Sequence, residues 1–91
     1  MKNLMITMDN MECVDAKKML NSKGIQSILD AVLMCKKDKI YSVYGCAKLT
    51  VEDKDYDKAL EILKQNKFTT GGIFMSDEFI DVDTAHLNKE K

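Results

Sequence analysis

Arginine, proline and tryptophan are absent from this 91-residue chain, and histidine occurs once. Without arginine there is no planar fork for phosphates, guanine edges or carboxylates. All 14 basic residues are lysines, set against 15 acids, and the formal net charge is −1. No clustered basic surface is expected, and so no nucleic-acid partner. The same absences, beside abundant Lys, Asn, Asp and Ile, also fit a composition bias of the source genome. Long apolar runs are missing too. Nothing approaches the roughly 20 residues of a membrane span, and Met1 to Met8 lacks the apolar core of a signal peptide. The expectation is a cytoplasmic protein with no membrane partner.

Three cysteines, Cys13, Cys35 and Cys46, are an odd number without Cys-x-x-Cys spacing, so reduced thiols are expected. A hairpin turning at Lys37-Asp38 sets Cys46 opposite Leu29 and Cys35 opposite Ile40, too far apart to bond each other. His86, the single histidine, has no Cys, Asp or Glu array at ligand spacing, and neither a metal nor a cofactor is expected. Without a second imidazole near the core, Ser-His and Cys-His catalysis lack a base, which leaves the chain uncertain as an enzyme and better read as a non-enzyme. Gly71-Gly72 belongs to neither a GxGxxG nor a P-loop pattern and reads as a loosened strand entry.

What is present suffices for one domain. A chain of 10.4 kDa buries about 64% of its extended surface, a real but thin core. Leu4 to Met8 reads as a buried strand closed by Asp9-Asn10. Asp9 and Glu12 have capping-box spacing, and a helix from there places Cys13, Ala16, Met19 and Leu20 on one face before a Gly24 stop, with Leu20 touching Ile25. Ile25 to Met34 and Ile40 to Val51 read as two strands joined by a polar turn. In the second, Tyr41, Val43, Gly45, Ala47, Leu49 and Val51 make the core face, and Ser42, Tyr44, Cys46, Lys48 and Thr50 the wetter one, with a bulge expected at Gly45. Tyr56, Ala59, Leu60 and Leu63 mark the clearest helix, ending at a left-handed Asn66. Phe68 to Met75 then reads as a fourth strand. The order is that of an α+β, ferredoxin-like βαββαβ domain over residues 1–75, a four-stranded antiparallel sheet with two helices on one face. Residues 76–91 form an acidic C-terminal extension whose Phe79, Ile80 and Val82 are expected to dock on the uncovered sheet or on a partner chain.

Chemistry concentrates at two places. Cys46 stands beside Tyr44 and Lys48 on the non-core face, where an ammonium favours thiolate, and Cys35 abuts Lys36 and Lys37. Both are candidate reactive thiols, and both read equally as small buried packing residues. A small-molecule ligand is expected on the sheet face around Thr7, Tyr44, Cys46 and Lys48, or at the Lys36, Lys37, Lys39 turn. Tyr44 to Leu49 invites comparison with an RNA-recognition strand, but of the stacking aromatics only Tyr44 is there.

The stretch Ala16 to Ile25, with Leu20-x-x-x-Gly24-Ile25, and the stretch Val51 to Leu63, with Val51, Asp55, Ala59 and Leu63 four apart, resemble a small bacterial family of signal-transducing domains. Both helices, Gly45-Cys46 and Gly72-Ile73-Phe74 are also similar to a selenium/sulfur carrier-like family, whose own pattern is Cys-Gly after a proline-bearing turn. These resemblances imply the same fold. The missing catalytic array, a sheet with only two helices and the apolar residues left over in the tail point to a non-enzymatic regulatory or ligand-sensing module that forms a homo-oligomer, dimer or trimer, and the alternative is a thiol-based sulfur or redox carrier using Cys46.

Overall fold

A computed structural model describes residues 1–82. Residues 83–91 of the acidic extension, His86 among them, lie outside the described residues. Within them the chain is α+β: strand β1 (Lys2–Thr7), helix α1 (Asn10–Ser22), strands β2 (Ser27–Lys36) and β3 (Lys39–Val51), helix α2 (Tyr56–Gln65) and a short strand β4 (Phe79–Asp81). The sheet is antiparallel in the order β1-β3-β2-β4.

Helix α1 starts where its cap predicts. Asp9 Oδ1 accepts from the Glu12 amide at 3.1 Å, but Glu12 does not complete the box; its Oε2 takes the Thr69 amide at 3.4 Å. At the other end Gly24 adopts φ 81°, and the amides of Ile25 and Gly24 donate to the carbonyls of Leu20 and Asn21. That is a Schellman stop, and Leu20 and Ile25 share the core as expected. In α2 the left-handed residue is Lys67, at φ 65°, rather than Asn66. Asn66 keeps φ −99° and spends its side chain on the Ile62 carbonyl.

Both helices bury their apolar stripes in one cluster with Leu4, Met5, Ala47, Leu49 and Val51. They therefore share one face of the sheet. The expected core face of β3 is only half right: Ala47, Leu49 and Val51 are buried, whereas Tyr41 and Val43 are 81% and 47% exposed, because the helix layer ends short of the distal hairpin. No bulge occurs at Gly45, which pairs regularly with Leu33. The irregularity lies nearer the turn, between Cys35↔Val43 and Lys36↔Lys39, where Ile40 to Ser42 are the surplus residues of β3.

The largest departure is the fourth strand. Phe68 to Met75 forms no strand; Gly71 alone bridges to β1, by a 3.1 Å bond from the Ile6 amide and a 2.8 Å bond to the Leu4 carbonyl. The chain then turns at Gly72, makes a single 3-10 turn over Ile73–Met75, and joins the opposite edge of the sheet, where Phe79, Ile80 and Asp81 face Lys36, Cys35 and Met34 of β2. A ferredoxin-like sheet would have its fourth strand beside β1. Two consecutive glycines with positive φ, 79° and 104°, supply the backbone path that a strand cannot follow.

Candidate functional site

The crossing segment roofs the sheet face opposite the helices. Phe74 packs with Ile6, Met34 and Cys46, while Val32, Tyr44 and Phe79 flank them. The rings of Phe74, Phe79 and Tyr44 form a mutually tilted trio with centroids 4.9–6.1 Å apart. Tyr44 and Cys46 lie on this face as expected, and Phe79, expected to dock on the uncovered sheet, flanks them, whereas Phe74 roofs the face instead of lying in a fourth strand. The signal was there in three aromatics with one sheet face left to cover.

Cys46 is 4% exposed in this cluster. Burial pushes its thiol above the ordinary cysteine value, the reverse of what a neighbouring lysine would do. Cys13, on the core face of α1, is pushed further, to about 11, by burial and then by the carboxylates of Glu12 and Asp9. Its Sγ lies 3.7 Å from the Ala47 carbonyl. Cys35 is fully buried between Val43 and Ile80. All three thiols are free, and the hairpin register, shifted from the expected one by the surplus residues, sets Cys46 against Val32 and Cys35 against Val43.

Thr7 does not join Tyr44, Cys46 and Lys48. It pairs with Ala47, whose side chain is on the helix side, and its hydroxyl accepts from the Asp9 amide at 3.2 Å. Ile6, opposite Lys48, takes its expected place. The difference arises because the register slips between Asn3 and Met5, which puts Leu4 and Met5 both in the helix-side core. Lys48 borders a small cleft of about 260 Å³ beneath the crossing segment, beside Asn3 and Phe79. Lys36 and Lys37 border another, of about 210 Å³, with Asp38 and Glu78, so the turn is of mixed charge rather than a basic patch. Lys39 sits at the same turn, opposite Lys36.

A further groove lies on the helix side of the β2-β3 hairpin. It holds about 510 Å³ between the first turns of α1, through Asn10 and Val14, and a sheet floor that includes Leu29, Ala31, Leu33, Gly45 and Ala47. The floor is low where it carries three small residues, Ala31, Gly45 and Ala47. A Cβ built on Gly45 would meet nothing within 4 Å. A glycine and an alanine on the nominal core face of a long hairpin are the sequence signal that could have located it.

Among the described residues no group of three or more His, Cys, Asp or Glu side chains is placed to hold a metal ion, and no helix is long and apolar enough to cross a membrane. No family model, curated protein or solved structure matches the chain.

Proposed function

We propose that this chain is a non-enzymatic, cytoplasmic regulatory or ligand-sensing module that self-associates, and that its ligand is a small, largely apolar molecule bound in the groove between α1 and the β2-β3 hairpin. The groove carries the reading: its volume of about 510 Å³ lies within the roughly 300–1,000 Å³ of small-molecule sites, its lining is mostly apolar, and Asn10 and Asp30 are the polar residues that border it. The likeness of the two helical stretches to signal-transducing domains supports the same class. In this reading the sheet is a variant of the ferredoxin-like plan that keeps the central order β1-β3-β2 and moves its fourth strand to the other edge.

A thermal-shift screen of small apolar metabolites tests the ligand. A compound at a hundred times its Kd adds about 2.7 kcal/mol to the native state, which raises Tm by roughly 10 °C or more in a domain of this size. Gly45→Leu, which fills the floor without backbone strain, is expected to remove that shift while leaving circular dichroism unchanged. A compound that stabilises wild type and Gly45→Leu equally would place the site elsewhere.

Self-association is supported by Leu33 and Val43, half-exposed at the groove rim. The sulfur-carrier reading gains nothing from the structure of its thiol, since Cys46 is buried and its ionisation is suppressed.

A further inference from the structure

Residues 72–81 differ from the rest of the domain in how they are held. Gly71 is pinned to β1 by two backbone bonds, and among the described residues the far end is held by the short three-residue ladder of β4 on the edge of β2, extended by a 2.9 Å bond from the Lys37 amide to the Glu78 carbonyl. Between those ends Phe74 is the one buried side chain, while Ile73, Met75, Asp77 and Glu78 face solvent. Gly72, at φ 104°, is the turning point, and its backbone lies against β1 so closely that an added Cβ would come 2.9 Å from the Ile6 carbonyl oxygen.

We infer that residues 72–81 are a strap that lifts from the sheet as a unit, without unfolding of the helix-side core, and that it uncovers Cys46 beneath Phe74 and takes Ile80 away from Cys35. Segments with few buried apolar contacts and short edge pairing open at a lower free energy than the core they lie on. Here the two cores are physically separate: Cys13, Ala16, Leu20, Ala59 and Leu63 lie on one side of the sheet, and Phe74 meets only Ile6, Met34, Cys46 and their flanking residues on the other. Lifting the strap strips the second cluster and leaves the first intact. The device makes Cys46 a gated thiol, inert in the closed state and open to alkylating reagents when the strap is up. The Cys46 side chain packs in the strap-side cluster while the residue also contributes to the lining of the proposed ligand groove, and the strap stands whether or not that groove binds anything.

Iodoacetamide labelling of the full chain across a urea series, read at each cysteine by mass spectrometry, tests this. The expected result is that Cys46 labels about tenfold or more faster than Cys13 in water, with a rate only weakly dependent on urea. Cys13 should follow the full urea dependence of global unfolding. Because intrinsic reactivity cancels in that dependence, the slopes decide: equal slopes for the two cysteines overturn the strap. In a second arm Phe74→Leu, a modest change, is expected to speed Cys46 labelling several-fold more than that of Cys13. Equal acceleration of both thiols would overturn it as well.

Discussion

Gly45 and Gly72 make opposite demands on substitution, and the difference is geometric. Gly72 has a left-handed φ and a carbonyl oxygen 2.9 Å from where a Cβ would sit, so Gly72→Ala is expected to cost about 1–3 kcal/mol in a urea titration. Gly45 has neither constraint, and Gly45→Ala should leave stability unchanged or raise it by roughly 0.5 kcal/mol. Cys13 links stability to pH. Its thiol is neutral in the folded protein until about pH 11 but ionises in the unfolded chain near 9.0. Between those values the unfolded state has lost a proton that the native state retains, so stability falls as pH rises. Chemical denaturation at a series of alkaline pH values should show that decline in wild type and a shallower one in Cys13→Ala.

At the scale of elements, local signals located the helices well. The Asp9 cap, the Gly24 stop and the four-residue spacing of Tyr56, Ala59, Leu60 and Leu63 are each determined by neighbours in the chain, and each appears in the structure. Strand pairing was less legible because it depends on residues far apart. The surplus residues Ile40 to Ser42 shift the whole hairpin register, yet nothing in a run of alternating side chains announces them. For the same reason Thr7 was assigned to the wrong face, one register slip in β1 being enough to exchange inside for outside. Burial of the candidate thiols was one of the two readings open from the sequence, but its agents were not legible, since Phe74 covers Cys46 from a segment expected to form the fourth strand. The end of α2 offers a test of local reasoning: Lys67 adopts φ 65° with a side chain that disfavours it, and Lys67→Gly should stabilise the protein by roughly 0.5–1 kcal/mol, measured by thermal and urea unfolding.

Across the whole molecule the helix layer and the strap divide the two faces of the sheet unequally. On one face α1 lies over β2 and β3 and α2 over β1, the strap crosses the other face and reaches the hairpin turn, and Leu33 and Val43 stay half-exposed. Multi-angle light scattering should return a mass of two or three chains. Leu33→Lys combined with Val43→Lys should reduce it towards one, with no loss of secondary structure. A wild-type monomer at high micromolar concentration would remove self-association from the functional proposal.

The strap also has a place in time. It follows every other element of the sheet in the chain, so on the ribosome β1, α1 and the hairpin leave the exit tunnel before Phe74 and Phe79 have emerged. Until then Ile6, Met34 and Cys46 have no roof, and the nascent domain presents an apolar sheet face with an accessible thiol. Translation itself thus passes through the open state, and the strap closes only after residues 72–81 have emerged. Stalled chains whose strap is still inside the tunnel should label readily at Cys46, and chains released with residues 72–81 in place should not.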